Sequence, residues 1–195
     1  MKLKIRCGWN SFEDDLYRAY HDDEWGVPVY EDDKIFEFLV LESAQAGLSW
    51  ITVLRKRENY RKAFAGFDPV KVSQFNPKDI QRLLENPGII RNRLKVEAAV
   101  SNAFRFLEVQ KEFGTFATYI WGFVGGKPMV NSRETVKDLP AVTPESQALA
   151  IDLKKRGFKF LGPTVVYAHM QATGMVNDHT VDCFRYKELC KYSKR

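Results

Sequence analysis

At Asp68-Pro69, Asn76-Pro77 and Thr143-Pro144 a capping side chain stands directly before a proline. Each pair marks a helix start. The polar side chain accepts from free backbone N–H groups, and proline at the first helical position removes a donor that had no intrahelical partner. Gly157 and Gly174 stand where later helices should stop. Between these marks apolar residues recur every three or four positions, and period-two alternation is scarce. The pattern predicts an all-α protein, with helices over 14–21, 32–43, 49–64 (broken near Glu58), 91–111, 116–123 and 163–173. Short helices follow Pro69 and Pro77, and another runs from Pro144 toward Gly157. Leu94, Ala98, Ala99 and Ala103 are expected to face inward from the long helix. Gly125-Gly126-Lys127-Pro128 is expected to be the one hairpin or loop region. No repeat or flexible linker divides the chain, so residues 1–195 read as a single unit, built as two closely packed helical lobes.

Hydrophobic residues make up 45% of the 195 positions and aromatic residues 13%, which excludes a disordered chain and allows a sizeable core. No apolar run is long enough to cross a membrane, and the first residues lack the apolar core of a secretory signal. Three cysteines, at 7, 183 and 190, do not make a disulfide framework. These features predict a cytoplasmic protein, with a monomer and no obligate protein partner as the simplest assembly. Net charge is +5 and the isoelectric point about 9.0. The positive residues cluster at Arg55-Lys56-Arg57 with Arg61-Lys62, at Arg91-Arg93-Lys95, and at Lys154-Lys155-Arg156 with Lys159. Such runs are either solvated faces or the sides of a groove for a polyanion.

Within this helical frame one acid is out of place. Ile35, Phe38, Leu39 and Glu42 fall on one helical stripe that is apolar until its last member. Ala46-Gly47 then breaks the helix, and Leu48, Trp50, Ile51 and Leu54 begin a new pattern. Either Glu42 reaches solvent or exposed N–H groups in the turn, or it is a buried acid with a task. Trp9, Tyr17, Tyr20, Trp25 and Trp50 crowd the same quarter of the chain. They are core packing, or a cage for a flat, electron-poor ring beside a carboxylate.

Two further constellations stand out. The stripe Ile80, Leu83, Leu84 stops at Pro87-Gly88-Ile89-Ile90, and Arg91 and Arg93 open the next helix. Two helices joined by a tight glycine turn resemble the helix-hairpin-helix DNA-binding motif. The turn lets backbone approach a phosphate, and helix N–H groups point at it. Cys7 and His21 lie near one end of the chain, His179 and Cys183 near the other. Two Cys and two His make a closed tetrahedral zinc set, which would be structural because no position remains for water.

Cys7-Gly8-Trp9, Tyr20 to Pro28, Glu42 to Trp50, Lys155 to Phe160, and Asn177-Asp178-His179 with Cys183 occur together and in order. In these motifs the chain resembles the DNA-3-methyladenine glycosylase I family, from Cys7 to about Cys183. The resemblance implies a helix-hairpin-helix glycosylase fold with one structural zinc on Cys7, His21, His179 and Cys183, and a base pocket between the lobes. It implies that Glu42 and Trp50 read the base, surrounded by Trp9, Tyr17, Tyr20 and Trp25. Leu48 would enter the gap left in the duplex, and Gly88, Ile90, Arg91 and Arg93 would meet the backbone of double-stranded alkylated DNA. The implied reaction is hydrolysis of an N-glycosidic bond that releases 3-methyladenine. No lysine accompanies the acidic motif, so strand cleavage through a Schiff base is not expected. Two other readings remain: a DNA-binding module without catalysis, which leaves Glu42 and the aromatics no task, and a zinc-stabilised interaction protein.

Overall fold

The computed structural model describes residues 4–9 and 12–194, and eleven α-helices account for most of them. Asp14 caps α1 (Asp15–Ala19) by accepting from Leu16 and Tyr17, and the chain continues through a π-helical turn, Tyr20–Glu24. The next helix, α2 (Asp32–Gln45), lies at the centre of the molecule. Ile35 through Ala44 are all buried, polar members included. The stripe read from the sequence was too narrow, because α2 is enclosed on every side by α3 (Trp50–Leu54), α7 (Arg93–Phe113), α8 (Phe116–Trp121) and α10 (Pro163–Ala172).

The proline-marked starts hold. Asp68 caps α5 (Pro69–Ser73), Asn76 and Asp79 form a reciprocal capping box on α6 (Pro77–Glu85), and Thr143 caps α9 (Pro144–Lys155). Gly157 and Gly174 follow α9 and α10 with φ of +88° and +68°. The 49–64 segment breaks at Arg55-Lys56, before Glu58, which leaves α3 and α4 (Arg57–Ala63) as separate helices. The long helix starts at Arg93 because Asn92 caps it, so Arg91 lies outside. Of the four residues expected to face inward, Ala98, Ala99 and Ala103 do, but Leu94 is 63% exposed. It sits in the first turn, on the side away from the stripe Val96, Ala99, Ala103, Phe106.

Gly125 and Gly126 form a loop and not a hairpin. They lead into β1 (Met129–Val130), which pairs in parallel with β2 (Val176–Asn177). After Leu189, the last residue of α11 (Phe184–Leu189), a 3₁₀ turn closes the described chain. One hydrophobic cluster runs through α2 to α10. A second joins Cys7, Tyr20, Trp25, Phe38, Leu54, Ala172 and Cys183, with Trp9, Tyr17 and Trp50 packed against it. The second cluster brings Cys7 and Cys183, from near the two ends of the chain, together with Phe38 in the middle of α2.

Candidate functional site

The C-terminal turn of α2 opens into a cleft of about 210 Å³. Trp9, Tyr17, Tyr20, Trp25, Glu42 and Trp50 all line it. Six residues separated by up to 41 positions therefore converge on one opening. Trp9 meets Trp25 edge to face at 4.6 Å and Tyr17 at 5.3 Å, and Tyr20 tilts against Trp50 at 5.2 Å. Sequence reasoning missed Gln45, Leu139, Ala168 and Gln171, which complete the lining. Ala168 and Gln171 lie three apart on α10, an i, i+3 pair whose shared face was legible. Leu139 comes from an irregular segment with no such signal.

Glu42 is 4% exposed and accepts no hydrogen bond from any described residue. Burial alone raises its pKa to about 8. Burial pushes the Tyr20 phenol well above its usual value too, with the Glu42 charge adding to it. The indole N–H of Trp50 is buried and has no acceptor among the described residues. A buried acid without a partner thus lines a cavity walled by aromatic rings, and the indole that flanks it carries an unpaired donor. Such groups cost free energy in the empty protein and gain it when a ligand supplies the missing bonds.

Leu48 is 40% exposed at the tip of the turn between α2 and α3, beside the cleft. Its backbone is held at both ends, by Leu48 N–H to Gln45 O at 2.6 Å and Gln45 Nε2 to Leu48 O at 3.3 Å. Lys95, in the first turn of α7, donates to Ala44 O at 2.8 Å and Ala46 O at 2.6 Å. It satisfies carbonyls that the end of α2 leaves open. The lysine grouped with Arg91 and Arg93 in the sequence is thus engaged inside the protein.

Other parts of the basic clusters are engaged as well. Arg57 is buried and bonded to Glu24 and Glu37, Arg61 also meets Glu37, and Arg55 pairs with Asp14. Lys56 donates to Pro87 O at 2.8 Å, and Arg156 to Glu112 and Asp152. The 55–62 cluster is therefore largely an internal ion network and does not supply a free groove.

The α6–α7 turn is tight, and a Cβ on Gly88 would lie 2.9 Å from Asn59. Gly88 N–H already donates to Asn86 Oδ1 and Ile90 N–H to the Tyr60 hydroxyl. Arg91 and Arg93 project from this turn into solvent. A second hairpin, α9–α10, was not read from the sequence as one. Its loop holds Phe160 at φ +57°, and Gly162-Pro163 opens α10 with no side-chain cap, so the first N–H groups of α10 are free. Lys154 and Lys159 border an open groove of about 710 Å³ along that loop. It contains no acid and is larger than the aromatic cleft, but it has nothing for bond chemistry.

Cys7, His21, His179 and Cys183 are buried with their ligand atoms within 4.8 Å of one another. Cys7 Sγ and Cys183 Sγ lie 3.4 and 3.5 Å from His179 Nδ1, and Cys183 Sγ lies 3.7 Å from His21 Nε2. Tetrahedral bonds of zinc to sulfur and nitrogen would set such edges at about 3.6 Å. The outer ring nitrogens are fixed too, His21 Nδ1 by Asp22 at 2.9 Å and His179 Nε2 by Trp25 O at 3.0 Å. The donors, spacing and supporting bonds fit one metal ion held entirely by protein.

The family model described as methyladenine glycosylase matches residues 9–186. The DNA-3-methyladenine glycosylase 1 of Escherichia coli K12 is 51% identical over 181 residues, covering 93% of this chain and 96% of that protein. A crystal structure of a 3-methyladenine DNA glycosylase I superposes with a TM-score of 0.89 at 51% identity, over 92% of this chain and 98% of the other. The enzyme of that name from Staphylococcus aureus, solved for its recognition of 3-methyladenine, gives 0.86 at 41% identity, over 88% and 92%.

Proposed function

The chain belongs to the methyladenine glycosylase family, and from that premise we propose how its cleft performs the family's reaction. The protein is a DNA glycosylase of base-excision repair that hydrolyses the N-glycosidic bond and releases 3-methyladenine. The observation that carries the reading is the unpaired, buried Glu42 in a cavity of aromatic rings.

Methylation at N3 leaves adenine in DNA positively charged, so the bond to the sugar is weakened before the enzyme acts. The work left to the protein is extrusion, selection and placement. Leu48 fills the vacated stack. The flipped base lies among Trp9, Tyr17, Tyr20, Trp25 and Trp50, whose π faces favour a cation. Glu42 accepts from the exocyclic amino group, and the charge of the base draws it toward the ionised form despite burial. Water adds its oxygen to C1′ and gives up a proton. The pair of electrons from the broken C1′–N bond goes to the base, which leaves neutral. No protein nucleophile is required, and no lysine stands in the cleft to cleave the strand.

Arg91 and Arg93 meet phosphates beside the Gly88 and Ile90 turn. Because the N–H groups of those two residues are engaged, the turn contributes shape and its arginines contribute charge. The α9–α10 hairpin, with free N–H groups at α10 and unpaired lysines, favours a second phosphate contact there. The Cys7, His21, His179 and Cys183 site would hold zinc, which supplies a structural cross-link because all four positions are taken by protein. The reading extends to a single unit over 1–195, a monomer acting on double-stranded alkylated DNA. A reducing, cytoplasmic setting suits its three free cysteines.

The decisive experiment incubates protein with methylated duplex DNA and identifies the freed base by chromatography. Wild type should release 3-methyladenine, and Glu42→Gln should release it far more slowly while binding DNA equally well. Equal release by the two proteins would remove Glu42 from the mechanism.

A further inference from the structure

We propose that Gln171 is a specificity-determining residue of the base cleft, turned by Asp178 so that its side-chain carbonyl accepts from an adenine-type amino edge and opposes a guanine-type carbonyl edge. The inference rests on the cleft being the base pocket. Gln171 lines that cleft from α10, one turn after Ala168. Its backbone is fixed there, because its carbonyl accepts from Gly26 N–H at 3.0 Å.

An amide side chain can present a donor or an acceptor, and which one a ligand meets depends on what holds the other end. Here the holder is Asp178, which is 1% exposed. Its oxygens accept from the Tyr167 hydroxyl at 2.5 Å, Asn131 Nδ2 at 2.8 Å, Gln171 Nε2 at 2.9 Å and Arg133 Nε at 3.4 Å. A carboxylate surrounded by donors offers no hydrogen to Gln171. Turning the amide over would set two oxygens against each other in a buried place. The nitrogen therefore stays on Asp178, and Oε1 is left as a fixed acceptor with no donor among the described residues.

That acceptor adds to what Glu42 supplies. A carboxyl group has two forms, one that accepts from an adenine amine and one that can donate to a guanine oxygen. The Gln171 amide does not titrate, and its orientation is set from behind. It pairs with the amino group of 3-methyladenine and leaves the O6 of 3-methylguanine facing another oxygen, a mismatch that discriminates by repulsion as well as by lost attraction. Asp178 is then a positioning residue that acts through Gln171.

The test follows 3-methyladenine and 3-methylguanine released from one preparation of methylated duplex DNA. Gln171→Met, similar in shape but without the acceptor, should lower kcat/KM for 3-methyladenine about tenfold or more and raise 3-methylguanine release, because the opposing oxygen is gone. Asp178→Asn, with metal content and melting temperature measured alongside, should narrow the ratio by raising 3-methylguanine release, because the freed amide can turn over. An unchanged ratio in Gln171→Met, or a parallel loss of both bases, overturns the proposal. If that occurs while Glu42→Gln still strongly slows release, the assignment of the cleft stands without it. A wild type that frees neither base overturns both.

Discussion

At the scale of single residues, the role proposed for Glu42 couples stability to activity. Its folded pKa of about 8 lies above the 4.5 of an exposed glutamate, so the folded chain binds the extra proton between those values. The resulting stability is fully present below about 4.5 and is lost as pH rises through 8. Glu42→Gln should therefore match wild type in acid and be the more stable protein above pH 8, by an amount on the order of 4 kcal/mol read from denaturant melts. Activity should run the other way. In wild type, kcat/KM for base release should climb as pH approaches 8, since that quantity reports ionisation in the free enzyme. The residual activity of Glu42→Gln should lack this limb, and a rising limb in both proteins would assign it to another group.

At the scale of elements, the end of α2 is the part that must not move. It carries Glu42 and Gln45 on one side and the Leu48 turn on the other, and Lys95 reaches from α7 to hold its open carbonyls. Lys95→Met removes a charged donor from two acceptors, a loss of about 1–3 kcal/mol that falls on the geometry of this turn. Base release by Lys95→Met should drop severalfold, with DNA affinity at moderate salt nearly kept, because the ammonium faces carbonyls and not solvent. The two hairpins make the opposite forecast. Arg93→Ala and Lys159→Ala should each weaken binding to any duplex alike and reduce the salt slope by about 1. A slope unchanged in Arg93→Ala would detach the α6–α7 turn from DNA.

At the scale of the whole molecule, Cys7, His21, His179 and Cys183 lie together, buried and able to hold a metal ion, and bring residue 7 beside residue 183 at the second hydrophobic cluster. Cys7 and Trp9 lie two apart, and Trp25 O holds His179, so this grouping also fixes the cleft wall. Stripping the metal with a chelator should lower the melting temperature by about 10 °C or more and weaken 3-methyladenine binding, with both restored by zinc. A metal-free preparation with unchanged melting would show that the cluster holds without an ion.

Helix starts at Asp68, Asn76 and Thr143, the stops at Gly157 and Gly174, and the identity of the cleft aromatics were legible in the chain, because caps, prolines and positive-φ glycines act over a few neighbouring residues. The grouping of Cys7, His21, His179 and Cys183 was legible as well, since few residue types can bind metal and their chemistry survives any arrangement. Burial around α2, the internal duties of Lys95 and Arg57, the parallel pairing of β1 with β2 and the orientation of Gln171 were decided only by the tertiary structure. Most depend on a partner twenty or more residues away, such as a carbonyl at the end of another helix, and the Gln171 amide depends on a carboxylate that lies beyond the end of its own helix. A charge or amide in the sequence carries no record of which distant group will meet it.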